Sequence, residues 1–115
     1  MSTINHKQLD ELRDLIGGDQ DSLVELIKTF LEEGQEMILE METSLESADL
    51  DTLRRCAHSM KSSSQEFGAI DLSELNATLE SQCKNSWPES AEQQVKLIAD
   101  KFNQTSDALS DYISL

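Results

Sequence analysis

The chain has two histidines, and one of them stands among residues equipped for chemistry. His58 lies in the run Leu53-Arg54-Arg55-Cys56-Ala57-His58-Ser59-Met60-Lys61-Ser62-Ser63-Ser64-Gln65-Glu66-Phe67-Gly68-Ala69. At a helical step of about 100° per residue, Leu53, Ala57, Met60 and Phe67 fall on one narrow apolar face. His58 is about 140° round from Leu53 and points away from that stripe. Arg54, Lys61, Ser62 and Gln65, at offsets of −4, +3, +4 and +7, are its neighbours on the helix surface. An imidazole with an ordinary pKa of about 6.5 keeps a useful neutral, nucleophilic fraction near pH 7. Positioned cations stabilise a negatively charged group electrostatically. Arg54, Arg55 and Lys61 are three of only nine Lys and Arg residues in a chain of formal charge −14. They surround an exposed imidazole suited to carry a negatively charged group, and Ser62 or Ser63 can add a hydroxyl hydrogen bond.

Composition narrows the function classes. Twenty-three acidic residues give a surface that repels nucleic acid and anionic membrane, so neither is an expected partner. No apolar run approaches the ~20 residues that span a bilayer. The start Met1-Ser2-Thr3-Ile4-Asn5-His6 lacks the basic-then-apolar pattern of a signal peptide. The two cysteines, Cys56 and Cys83, do not read as a disulfide framework, and a reducing cytoplasmic setting is the simplest expectation. A metal site is not expected either. Cys56 and His58 are about 160° apart on a helix, and His6 sits near the terminus as an ordinary exposed residue. The acidic side chains form no pair that reads as general acid and base, and they serve mainly solubility.

Length and composition point to a single all-helical domain over residues 1–115. Five segments can be read. The first runs near His6 to Ile16 and stops at Gly17-Gly18. Asp19 caps a long second helix to about Ser47, whose stripe is Leu23, Leu26, Ile27, Phe30, Leu31, Met37, Ile38, Met41 and Leu45. Gly34 interrupts it at a cost of ~1 kcal/mol relative to Ala, which a packed helix tolerates. Asp49 caps the third helix, which carries His58 and ends near Gly68 as a C-terminal cap. Asp71 with Glu74 resembles a capping box for the fourth, with Leu72, Leu75, Leu79 and Cys83 inward. Asn85-Ser86-Trp87-Pro88 breaks the pattern, and Pro88 suits the first turn of a fifth helix bearing Val95, Leu97, Ile98, Phe102, Leu109 and Ile113. Short connections between such helices predict an antiparallel up-down four-helix bundle with an additional short N-terminal helix.

With these residues laid out, the chain resembles the histidine-containing phosphotransfer (HPt) domains of bacterial phosphorelays. That family's signature runs roughly Ala-His-x-Leu-Lys-Gly-Ser-Ser, three residues, then Gly-Ala. Here it stands as Ala57-His58-Ser59-Met60-Lys61-Ser62-Ser63-Ser64-Gln65-Glu66-Phe67-Gly68-Ala69. Leu12-Arg13 to Asp19, Phe30-Leu31, the Leu-Arg-Arg run and Leu75 to Glu80 extend the likeness over most of the chain. Ser62 departs from the family's glycine, yet it is small enough to keep the ring accessible. The resemblance implies that His58 accepts a phosphoryl group on Nε2 from a receiver-domain aspartyl phosphate and passes it to another receiver aspartate. It implies that Lys61 steadies the phosphoryl group. Gln82 and Lys84 match positions where related domains place a glutamine or cation near the imidazole, if helix register lets them reach. Arg54, Arg55, Ser62, Ser63, Gln65 and Gly68 complete the candidate set for phosphoryl stabilisation or partner docking. The implied partners are response-regulator receiver domains and a hybrid sensor histidine kinase. The chain itself is expected to be a monomer without cofactor, with Mg²⁺ on the receiver.

Two rival classes differ in sequence. The phosphoacceptor part of a histidine kinase would place an acidic residue directly after the histidine and a proline soon after. Here Ser59 follows His58, the single proline is Pro88, and no Gly-rich nucleotide-binding segment exists, so a kinase is not expected. The alternative is a non-catalytic helical adaptor binding signalling partners through an apolar groove, with His58 incidental.

Overall fold

The computed structural model describes residues 3–114, and the regular elements among them are five helices. These are α1 (His6–Leu15), α2 (Gln20–Ser47), α3 (Leu50–Glu66), α4 (Ile70–Gln82) and α5 (Ala91–Ile113). Three starts follow the side-chain capping rule, which satisfies amide donors that lack a helical acceptor. The carboxamide of Asn5 accepts from the Gln8 amide, Asp19 from Asp21, and Asp49 from Thr52, at 3.1 Å each. Gly17 and Gly18, at φ of +100° and +75°, end α1 in a conformation other residues rarely adopt.

The four long helices form a ring in which α2 and α4 each pack between α3 and α5, which places them on opposite corners. Neighbours run antiparallel. The Ser73 hydroxyl donates to the Lys61 carbonyl at 2.9 Å, while Glu80 lies beside His58, so α4 descends as α3 rises. The bundle interior is the set expected from periodicity: Leu23, Ile27, Phe30, Ile38 and Met41 of α2, Leu53, Ala57 and Met60 of α3, Leu72 and Leu79 of α4, and Val95, Ile98, Phe102 and Leu109 of α5. Full burial of a Leu, Ile, Phe or Met side chain contributes about 1.5–3 kcal/mol, so this interior dominates stability. Phe30 stacks on Phe67 at 4.7 Å between centroids and lies 6.2 Å from Phe102.

Gly34 has a packing role. A Cβ there would overlap the Phe102 ring, with Cζ only 2.7 Å away, so the glycine lets α5 close against α2. α1 lies across the end of the bundle where α3 stops and α4 begins. It is held by buried Leu9 and Leu12, by the Asn5 amide on the Gly68 carbonyl at 2.8 Å, and by the Tyr112 hydroxyl on Asp10 at 2.6 Å.

Two boundaries differ from the sequence reading. α4 begins at Ile70 after Ala69, and Asp71 lies inside its first turn. Gly68, at φ +76°, reverses the chain at once, and the Ala69 amide bonds back to the Ser64 carbonyl at 2.8 Å. α5 begins at Ala91, because residues 88–90 form a separate turn closed by the Ala91 amide on the Pro88 carbonyl. Leu26 and Leu97, expected inward, are 37 % and 54 % exposed. Each sits one residue, about 100°, from the inward line its neighbours Ile27 and Ile98 define.

Candidate functional site

α3 presents two faces to its neighbours. Leu53, Cys56, Ala57, Met60 and Ser64 turn into the bundle. His58 stands on the opposite side, with its side chain 59 % exposed. On the facing surface of α4, Glu80 is 16 % exposed and bridges two residues of α3. His58 Nδ1 lies 2.6 Å from Glu80 Oε2, and Lys61 Nζ donates to Glu80 Oε1, also at 2.6 Å. His58 and Lys61 are one turn apart, so one carboxylate spans both.

This geometry orders the electrostatics. The Lys61 ammonium foremost, and then the His58 ring, hold the Glu80 carboxyl below the usual carboxylate range, against the cost of partial burial. An ionised Glu80 only accepts hydrogen bonds, so His58 carries its proton on Nδ1 and donates it. In the neutral ring Nε2 then keeps the lone pair, as a nucleophile needs.

The other expected residues separate. Gln82, at the last position of α4, hydrogen bonds Gln94 of α5 at 2.5 Å and makes no hydrogen bond to the imidazole. It is about 200° round α4 from Glu80, so the two cannot face α3 together. The reading of Gln82 as the group beside the ring is thus corrected to Glu80. Lys84 is exposed, two residues past the end of α4. Arg54 and Arg55 both pair with Asp51, at 3.0 and 3.1 Å, in the turn preceding His58. Ser62 is exposed one turn beyond His58. The Ser63 hydroxyl donates to the Ser59 carbonyl at 2.9 Å, which ties it to its own helix. Gln65 is exposed, and its carbonyl receives the Gly68 amide and the Gln8 side chain. Gly68 is buried in the α3–α4 turn, where a Cβ would stand 2.8 Å from the Asn5 carbonyl.

Cys56 and His58 diverge as their spacing predicts. The Cys56 thiol donates to Glu40 of α2 at 3.2 Å, and burial, with that carboxylate, pushes it up to about 12. A thiol so placed is unreactive. Both cysteines are free and buried. Among the described residues no group of three or more His, Cys, Asp or Glu is arranged to hold a metal ion, and no helix is long and apolar enough to cross a membrane.

Residues 25–111 match the Hpt domain. The chain belongs to the Hpt domain family. Its fold is also that of the histidine-containing phosphotransfer protein B from Pseudomonas aeruginosa PAO1, with a TM-score of 0.90 over 97 % of this chain and 95 % of that one, at 20 % identity. No curated protein matches the sequence significantly. An Hpt domain relays phosphoryl groups by histidine phosphotransfer between receiver domains and histidine kinases of two-component phosphorelays, and that is the role of this chain.

Proposed function

We propose that His58 is the phosphoacceptor, through Nε2, with Lys61 and Glu80 as its working partners. The observation that carries this is the short Nδ1–Glu80 contact, which fixes the proton on Nδ1 and leaves Nε2 its lone pair. The Nε2 lone pair attacks the phosphorus of a receiver's aspartyl phosphate. The P–O bond to that aspartate breaks, and its electron pair leaves with the carboxylate. The reverse displacement, by a second receiver's aspartate, returns the pair to Nε2. Lys61, one turn away, compensates charge on the phosphoryl oxygens. Ser62 leaves the approach to the ring open, and Arg54, Arg55 and Lys84 add positive charge around it for an acidic receiver site.

In this reading the chain moves phosphoryl groups without a kinase activity or cofactor of its own, and Mg²⁺ belongs to the receiver. Its donor is a hybrid sensor histidine kinase. It works in the cytoplasm as a monomer, and the −14 charge opposes self-association. Receivers dock on the rim of α2 and α3 beside His58, in weak and transient contacts, because donor and acceptor use one face in turn.

The test is transfer from a radiolabelled phospho-receiver to the wild type and to His58→Gln. The expected result is alkali-stable, acid-labile label on the wild type alone, with both proteins equally helical. Label retained on His58→Gln overturns the assignment. Binding of receivers without any transfer would favour the adaptor reading instead.

A further inference from the structure

Resting on His58 as the acceptor, the geometry points to a further role at this site. We propose that Glu80 is a positioning residue that keeps the proton on Nδ1 while the phosphoryl group occupies Nε2, and that Lys61 frees it for this by moving from the carboxylate to the phosphoryl oxygens. In the resting chain both Glu80 oxygens are engaged, one by His58 and one by Lys61. The ammonium therefore offsets a charge that would otherwise act wholly on the ring.

When Nε2 bonds to phosphorus with Nδ1 still protonated, the ring becomes a cation. A dianionic phosphoryl group one helical turn from Lys61 competes with Glu80 for the ammonium. Once Lys61 transfers, the whole carboxylate charge faces the ring cation. On departure the N–P bond breaks and its electron pair returns to Nε2, while the acceptor oxygen forms the new bond to phosphorus. With the proton retained on Nδ1, the leaving group is neutral imidazole. Without it, the leaving group would be the far more basic imidazolate. Glu80 thus sets how readily this chain gives up what it carries.

Glu80 is the one charged group in ion-pair contact with the ring among the described residues. Of the nearby charged groups on α3 and α4, Arg54 is paired with Asp51 and Lys84 lies past the end of α4, while Glu40 of α2 is on the Cys56 side of α3, away from the ring.

The test compares phosphorylated wild type, Glu80→Gln and Lys61→Met between pH 6 and pH 9. It records label loss and transfer to a receiver. A glutamine can accept the Nδ1 hydrogen bond but lacks the charge. The expected result is that Glu80→Gln displaces the pH midpoint of transfer about one unit to the acid side, lengthening the label lifetime roughly tenfold above it. Lys61→Met should lower the rate at every pH and leave that midpoint in place. Parallel profiles for wild type and Glu80→Gln would overturn the proposal while leaving His58 as acceptor. Failure of the wild type to take label overturns both. Imidazole ¹⁵N shifts of the phosphorylated wild type at pH 8 give a reading independent of any variant. A protonated Nδ1 is expected, and a bare Nδ1 would sink the idea.

Discussion

His58 and Lys61 share the carboxylate of Glu80, and the partners of that carboxylate can be tested one side chain at a time. Lys61→Ala removes the ammonium one turn from the ring, and phosphotransfer should slow about tenfold or more. Rapid-quench transfer from a phospho-receiver measures this, and an unchanged rate would reduce Lys61 to surface charge. Glu80 also makes a prediction about acid stability. Its carboxyl is held low in the folded chain, mainly by Lys61. The stability it contributes is therefore fully present above the unfolded value near 4.3 and lost as pH falls through the lower folded value. Glu80→Gln should flatten that limb of the acid unfolding curve, followed by circular dichroism between pH 5 and pH 2. His58 and Lys61 were legible in the sequence because both lie on one helix, where spacing alone fixes adjacency. Glu80 was not, because its place depends on the register between α3 and α4. The available signal was Ser73 and Glu80, seven residues apart on one flank of the Leu72–Leu79 stripe. Gln82, chosen on family resemblance, lies on the far side of that helix.

Among the elements, local chemistry dictated some boundaries and tertiary packing dictated others. Asp19 and Asp49 announce α2 and α3 because a side-chain cap is written in the residue itself. The Asp71–Glu74 pattern misleads because α4 starts where Gly68 turns the chain, and no side chain caps it. Pro88 likewise fits a first helical turn, yet it is spent in the turn before α5. Gly34 shows the same division. Intrinsic propensity favours Gly34→Ala by ~1 kcal/mol. The added methyl, however, meets a Phe102 ring that is itself buried and packed near Phe30. Overpacking of this kind costs about 1–3 kcal/mol, so a net loss of up to about 2 kcal/mol is expected in urea denaturation. A stabilised variant would show that Phe102 has room to move. The clash was invisible in the sequence because it joins residues 68 positions apart.

Across the whole molecule, α1 is fastened at the end of the bundle remote from the chemistry. Gly68, which receives the Asn5 amide, is ten residues along from His58, or about 15 Å of helix rise. A further tie runs from Tyr112 near the end of α5 to Asp10, with the His6 ring set edge-on to Tyr112 at 5.3 Å. Burial, and then the hydrogen bond to Asp10, push the Tyr112 phenol up to about 12. A phenol raised in the folded chain favours its neutral form there. Its contribution to stability is present below the unfolded value near 10 and lost as pH rises towards 12. Tyr112→Phe removes both the bond and its titration. It should cost about 1 kcal/mol at pH 7 and make the alkaline limb between pH 10 and pH 12 shallower than that of the wild type. Hydrogen exchange should quicken at the α1 amides while α3 and α4 stay protected, because α1 shares no side chain with the His58–Glu80–Lys61 group. Phosphotransfer at pH 7 should be unaltered in Tyr112→Phe. A fall in its rate would mean that the end clasp and the relay site move together, and that α1 is part of the working bundle.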